Sequence, residues 1–367
     1  MWTMIDGHND LPWAMRKLCA YNLDVVDLAS PVAALHTDIP RLRAGAVTGQ
    51  FWSVYVPSSM RGSEAVVATM EQIDFVHSMI ARYPDVFVLA RCANDIEAAR
   101  AEGRIASLIG IEGGHCIDES LGVLRMMFDL GARYMTLTHN DNVPWADSAT
   151  DDAVIGGLSA FGEAVVREMN RMGMLVDLSH VSEAVMHDAI RVSDSPVIFS
   201  HSSARSLCDV SRNVPDEILR LLAATGGLCM VTFVPDFISP ACALWFEECR
   251  EMVVAQGHDR RNRDALGRIL HERAIADPPP RANLGEVIAH IEHVRAIAGI
   301  DCVGLGGDFD GCSFVTRGLD DVSCYPALID GLAAVGWSSA DLAKLQFENV
   351  LRVMRRAERV AAGTTAS

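Results

Sequence analysis

The sequence predicts an α/β protein with the architecture of a (β/α)8, or TIM, barrel. Short apolar runs alternate with amphipathic segments about eight times along the 367 residues. Histidines and carboxylates recur where these runs end, and no Gly-rich phosphate loop follows the first run. The missing loop disfavours the alternative, an open doubly wound sheet.

Each apolar run is rich in β-branched residues, and continuous apolar strands are typical of a parallel sheet that is covered on both faces. The predicted strands are, in order, TMID before His8, GQFWSVYVP (49–57), IASLIGIEGG (105–114), ARYMTLTHND (132–141), GMLVDLSH (173–180), SPVIFSH (195–201), GGLCMVTFVP (226–235) and DCVGLGGDFDG (301–311).

Helical periodicity fills most of the intervals between these strands. Ser182 precedes an apolar-periodic run, and Pro215 followed by two acidic residues is typical of a first helical turn. The predicted helices span 63–82, 119–130, 158–171, 182–193, 214–224, 284–298 and 326–335.

One segment interrupts the alternation. Residues 236–283, after the seventh predicted strand, are charged, partly helical and contain three consecutive prolines. We expect residues 1–367 to form a single barrel domain with this long insertion, which is either a lid over a site or a surface decoration.

Composition excludes several classes of partner. The net charge of −17 argues against nucleic acid or an anionic membrane surface as a partner. No apolar run is long enough to span a bilayer, no signal peptide is recognisable and the C-terminal AAGTTAS is not a hydrophobic tail. The ten cysteines include no CxxC pair, so we expect reduced thiols and a cytoplasmic protein.

Metal-binding residue types gather at the predicted strand ends. All C-terminal strand ends of a parallel barrel open onto one face, so residues far apart in sequence are expected to converge there. Four histidines, two aspartates and a glutamate around one mouth are the donor types of a metal site. They are His8, Asp10, Glu112, His139, His180, His201 and Asp308.

Spacing suggests how ions would be shared. Residues i and i+2 of a strand point to one side, so His8 and Asp10 can hold one ion together. His180 and His201 end neighbouring strands and could hold a second, and Glu112 could bridge both. Two ions about 3.5–4 Å apart would hold a hydroxide and clamp a carbonyl.

The remaining residues near the strand ends are expected to have roles other than metal binding. Asp308 and His139 are available to move protons and to stabilise charge. His115 is expected to play a supporting role, and Gly113 and Gly114 are expected to let the backbone approach the metals.

The sequence resembles the membrane dipeptidase family of zinc metallopeptidases, particularly its soluble bacterial members. The resemblance lies in DGHNDLPW, IEGGHCIDESLGVLRMMFDLGARYMTLTHNDNVPWAD, VDLSHVSE, PVIFSHSSARSLCDVSRNVPD, GLGGDFDG and NVLRV. It implies a (β/α)8 barrel with a binuclear zinc centre, two Zn2+ per chain, in a homodimer that hydrolyses dipeptides. By position, His8 and Asp10 resemble the ligands of one zinc, His180 and His201 those of the other, and Glu112 resembles the bridge.

The resemblance also implies roles for residues beside the metals. His139 looks like the residue that stabilises the tetrahedral intermediate, and Asp308 looks like the proton carrier. Arg212, in SRNVPD, looks like the partner of the substrate's terminal carboxylate. Without the resemblance, Arg212 would be interpreted as an exposed loop arginine.

The sequence therefore predicts a zinc dipeptidase in which a bridging hydroxide attacks the scissile carbonyl, with L-D dipeptides among the plausible substrates. An N-acyl amino acid deacylase or a related amidohydrolase is the alternative, because the same metals would serve it. A catalytically silent metal-binding scaffold is disfavoured, because every catalytic position is filled.

Overall fold

The computed structural model describes residues 3–363. Residues 1–2 and 364–367 lie outside the described residues. Nine strands form one sheet. They are β1 (Met4–Asn9), β2 (Val47–Tyr55), β3 (Phe87–Leu89), β4 (Ile105–Glu112), β5 (Ala132–Thr136), β6 (Leu175–Asp177), β7 (Ile198–Phe199), β8 (Leu228–Val231) and β9 (Val303–Leu305).

Eight of these strands follow one another around a barrel in the order β1-β2-β4-β5-β6-β7-β8-β9, and every pairing is parallel. The circle closes where the Asp308 amide donates to the His8 carbonyl at 3.1 Å and the Asp10 amide donates to the Phe309 carbonyl at 2.9 Å. The (β/α)8 prediction is confirmed, and the open sheet is excluded.

The extra strand, β3, was not predicted. It pairs with the first residues of β4, Ile105 to Ser107. On the same edge, β5 pairs with β4 from Ile109 onward. Its three residues are too few to produce a recognisable apolar run.

Helices alternate with the strands. They are α1 (Leu11–Cys19), α2 (Ile39–Ala44), α3 (Ser63–Arg82), α4 (Ala93–Ala101), α5 (Leu121–Asp129), α6 (Ala160–Met172), α7 (Glu183–Val192), α8 (Asp216–Thr225), α9 (Pro235–Ile238), α10 (Pro240–Ala255), α11 (Arg263–Ala276), α12 (Leu284–Ala298), α13 (Tyr325–Ala334), α14 (Ser339–Ala343) and α15 (Asn349–Ala361). All seven predicted helices are present, and α3 and α12 have the predicted bounds.

Two hydrophobic clusters account for the barrel. The larger fills the space between the strands and the surrounding helices. The smaller combines inward-facing strand residues such as Ile5, Phe51 and Leu108 with Phe347 and Leu351 from the C-terminal segment. That segment therefore packs against the interior of the barrel, which leaves the opposite, C-terminal end of the strands for a site.

The ten cysteines all lie within the described residues, and none forms a disulfide. Within residues 3–363, no helix combines the length and apolar character that crossing a membrane requires.

Candidate active site

The strand ends bring the seven predicted donors to one place, around the carboxylate of Glu112. This residue ends β4 and is only 4% exposed. Its Oε1 lies 3.0 Å from His180 Nε2 and 3.5 Å from His139 Nε2. His201 Nε2 lies 3.7 Å from the same oxygen.

The other carboxylate oxygen faces β1. Glu112 Oε2 lies 3.5 Å from His8 Nε2, and the same nitrogen is 3.5 Å from Asp10 Oδ2 and 3.9 Å from Asp308 Oδ1. The hydroxyl of Ser53 donates to Glu112 Oε2 at 2.9 Å and orients the carboxylate.

Within residues 3–363, three overlapping groups of side chains have donor atoms close enough together to hold an ion. They are His8 with Glu112 and His201, Glu112 with His139 and His180, and His8 with Asp10 and Asp308. Glu112 and His8 each belong to two groups. Glu112 has two carboxylate oxygens and could serve two neighbouring ions, whereas His8 Nε2 has one lone pair and could serve only one.

The environment of His8 fixes which of its ring nitrogens faces the cluster. Its Nδ1 lies 2.9 Å from the Tyr134 hydroxyl, and that hydroxyl donates to the Gly7 carbonyl at 3.2 Å. The hydroxyl oxygen therefore accepts from His8 Nδ1–H, and Nε2 is the ring nitrogen that faces the carboxylates.

His201 and His180 are oriented in the same way. The Ser200 hydroxyl donates to Asp177 Oδ2 at 2.6 Å and accepts from His201 Nδ1 at 2.8 Å. The Asn140 amide oxygen accepts from His180 Nδ1 at 3.2 Å. The two Nε2 atoms, 3.0 Å apart, thus direct lone pairs at each other.

This arrangement fits a cation. Lone pairs on neutral imidazoles repel one another and repel the Glu112 carboxylate unless a positive charge lies between them. Burial, together with the positive charge of Arg212, lowers the pKa of His180 to about 3, so this imidazole is neutral at physiological pH. In addition, His8 Nε2 and Asp10 Oδ1 are buried without a hydrogen bond from any described residue.

The backbone is strained at two of the donors. His180 has φ of +72° and Asp308 has φ of +60°, values that cost a non-glycine residue about 1–3 kcal/mol each. A side chain at Gly311 would place its Cβ 2.1 Å from Asp10 Oδ2 and 2.2 Å from Asp308 Oδ1. Glycine at this position therefore lets the loop after β9 close on the two carboxylates.

Asp308 differs chemically from the other acids. Burial and the neighbouring carboxylate of Asp10 raise the pKa of Asp308 well above its ordinary value. A raised pKa allows a carboxyl group to carry a proton near neutral pH.

Arg212 lies beside this cluster, on the segment after β7, and it is buried rather than exposed. Its guanidinium stacks over the ring of Phe237 at 5.1 Å, and Nη1 makes no hydrogen bond to any described residue. Burial lowers the pKa of Arg212 to about 10, which leaves the group charged at neutral pH. The interpretation as an exposed loop arginine is therefore wrong.

The pair of glycines after Glu112 lies against closely packed neighbours. Added Cβ atoms would lie 2.5 Å from the His115 ring at Gly113, and 2.4 Å from the Leu137 carbonyl and the Trp145 ring at Gly114. The glycines make room for these neighbours, and at Gly113 also for His139, whose Cβ would lie 3.2 Å from an added Cβ. The expected approach of this backbone to the metals stays a prediction. His115 is held by the Val56 carbonyl at 3.1 Å, and burial lowers its pKa to about 4.

Sequence reasoning missed the residues that orient the donors. Asp177 and Tyr134 lie inside stretches that carry the resemblance, but Tyr134 is internal to β5, Asp177 is the last residue of β6, and neither has a spacing signal of its own. The roles of Ser53 and Gly311 can be recognised only when the contacts between separate strands are known.

The chain belongs to the membrane dipeptidase family, peptidase family M19, whose model matches residues 1–367. Dipeptidase 3 of Mus musculus is 39% identical over 362 residues, which are 97% of this chain and 65% of that protein. The chain thus spans about two thirds of the length of this relative.

Solved structures share the fold. A family M19 metallopeptidase, dipeptidase AC, has a TM-score of 0.80 at 23% identity and is matched over 97% of this chain and 98% of its own. A metallopeptidase from Rhodobacter sphaeroides, solved with a phosphinate mimic of the dipeptide L-Ala-D-Ala, has a TM-score of 0.80 at 22% identity, with 97% and 99% covered.

Proposed function

We propose that this protein is a zinc-dependent dipeptidase. The observation that carries the proposal is the buried guanidinium of Arg212, whose Nη1 has no hydrogen-bond partner among the described residues, beside a cluster of inward-facing imidazoles and carboxylates. Such a pair of features suits a substrate that has a free carboxylate one residue away from a scissile amide.

Five side chains would hold two zinc ions per chain, with Glu112 as the bridge. They are His8, Asp10, Glu112, His180 and His201. Bound zinc would polarise the scissile carbonyl and make hydroxide available at neutral pH.

The remaining residues bind the substrate and move its protons. Arg212 holds the terminal carboxylate, because its planar fork can donate to both oxygens. His139 lies 3.5 Å from Glu112 at the same mouth and stabilises the negative charge that develops on the carbonyl oxygen. Asp308 takes a proton during the attack and delivers it to the leaving amine, a role that its raised pKa supports.

L-D dipeptides are included among the proposed substrates. The Rhodobacter sphaeroides relative binds a mimic of L-Ala-D-Ala, and a dipeptide with a D-residue at its C-terminal position presents the same carboxylate to Arg212.

The test compares L-Ala-D-Ala with N-acetyl-alanine, with and without a chelator. We expect hydrolysis of the dipeptide only, loss of this activity on chelation, and recovery with two equivalents of Zn2+ counted by elemental analysis. Preferential hydrolysis of N-acetyl-alanine would favour the deacylase instead, and active protein that contains no transition metal would refute the proposal.

Three further properties belong to this proposal: a homodimer, a cytoplasmic location and a single domain over residues 1–367. The family resemblance supports the first, and the ten unpaired cysteines support the second. Sedimentation analysis of the purified protein tests the dimer.

A further inference from the structure

The proposed carboxylate site leaves one end of the substrate unrestricted. Arg212 would reject a peptide that continues beyond the C-terminal residue. A longer peptide cut at its last bond, however, would place its own terminal carboxylate on Arg212 and extend past the metals on its amino side. An enzyme with this clamp alone would be a carboxypeptidase, so restriction to two residues needs a second boundary.

The helices α10 and α11 form a hairpin, residues 240–276, that emerges after β8. The two helices share a hydrophobic cluster, which includes Trp245, Cys249 and Ile269. Phe314, on the loop after β9, packs against this cluster and joins the hairpin to the barrel.

The turn of the hairpin contacts the far rim of the barrel. Arg261 Nη1 lies 2.9 Å from Asp141 Oδ1 and pairs with Asp151 as well. Both aspartates are on the loop after β5, and the Ser58 hydroxyl, on the loop after β2, donates to Asp141. Arg261 thus links the hairpin to a joined pair of loops, and all three charged groups are partly shielded from water.

Strand order shows what this link implies. Around the barrel, β8 is the seventh strand, whereas β2 is the second and β5 the fourth. Each is three strands away from β8 in an eight-stranded circle, so a hairpin that starts after β8 and ends at these loops passes over the mouth. Arg212 follows β7, the sixth strand, directly opposite β2.

A dipeptide with its carboxylate on Arg212 would therefore extend across the metals toward the loops where Arg261 is attached. The burial of the site agrees with a cover above it: His8 is 0% exposed and His201 1% exposed, although both lie at the open end of a barrel.

We propose that the hairpin 240–276, latched by Arg261 to Asp141 and Asp151, closes the amino-terminal side of the substrate site and limits the substrate to two residues. This inference rests on the proposed dipeptidase function. It assigns a role in substrate length to residues other than the proposed metal ligands and Arg212.

The test compares Ala-Ala with Ala-Ala-Ala in the zinc-loaded protein and in two matched variants. Arg261→Gln removes the latch. Arg260→Gln makes the same change at the neighbouring residue, whose guanidinium pairs with Glu247 inside the hairpin. Loss of two partly shielded ion pairs should raise kcat/KM for Ala-Ala-Ala by about fivefold in Arg261→Gln. The value for Ala-Ala should change less than about twofold, and Arg260→Gln should match the wild type.

Hydrogen exchange provides the second measurement, because it does not depend on activity. Amides of 256–262 should exchange faster in Arg261→Gln than in Arg260→Gln. An unchanged ratio in Arg261→Gln would overturn the inference and leave the dipeptidase proposal standing. A wild type that cleaves both peptides equally well would overturn the inference and would also contradict the restriction to dipeptides, because such an enzyme is a carboxypeptidase. A wild type inactive on both peptides would refute the dipeptidase proposal and, with it, the role in substrate length; equal exchange in the two variants would refute the latch itself.

Discussion

Replacement of Arg212 by methionine tests the carboxylate site most directly. Methionine keeps much of the length and apolar volume of the arginine stem but removes the charge and the hydrogen-bond donors. In the structure Arg212 is 5% exposed, and its Nη1 has no hydrogen-bond partner among residues 3–363. The substitution should therefore reduce substrate binding while it leaves the fold intact.

The size of the effect follows from what the guanidinium offers. A pKa of about 10 keeps Arg212 charged at neutral pH, so its hydrogen bonds to a carboxylate are charge-assisted. Hydrogen bonds to charged groups contribute about 1.5–3 kcal/mol, which corresponds to a loss of about 10–150-fold in kcat/KM for Ala-Ala. Arg212→Lys keeps the charge without the fork and should lose less than Arg212→Met.

The assay compares Ala-Ala with its C-terminal amide. The amide lacks the carboxylate, so it should be a poor substrate of the wild type and should lose little further activity in Arg212→Met. Arg220→Met, an exposed arginine on α8, serves as the control and should behave like the wild type. Equal, wild-type rates of Arg212→Met on both substrates would refute the reasoning and place the carboxylate site elsewhere.

Three further substitutions distinguish the proposed bridging ligand from the proposed proton carrier. Glu112→Gln should lose more zinc, measured by elemental analysis, than His201→Ala, because a neutral amide cannot balance two cations; full zinc occupancy at a normal rate would contradict the bridge. Asp308→Asn should keep its zinc and lower kcat by about 10²–10⁴-fold, the range for loss of general acid–base catalysis. Because Asp308 also lies within a possible ligand group with His8 and Asp10, zinc loss in this variant would instead identify it as a ligand.

Much of the barrel could be predicted from local pattern. Period and length distinguish a buried strand from an amphipathic helix over ten to twenty residues, which is why α3 and α12 have the predicted bounds. The very short elements carry too few residues for a period to appear, and β3 was missed for that reason.

The sequence by itself also determined which side chains could form the site. A parallel barrel places all C-terminal strand ends on one face, so His8, Glu112 and His201 were expected to meet although nearly two hundred residues separate the first from the last.

Three properties of the site depend on the tertiary structure alone. They are which imidazole nitrogens carry the proton, the burial of Arg212, and the position of the hairpin 240–276. Which imidazole nitrogen faces inward depends on Tyr134 and Asp177, whose hydrogen bonds exist only between strands. The burial of Arg212 depends on the packing of Phe237 from a later segment. The span of the hairpin across the mouth depends on which loops Arg261 reaches. Each of these properties arises from contacts between residues that are far apart in the sequence. The local pattern of apolar and polar residues therefore cannot predict them.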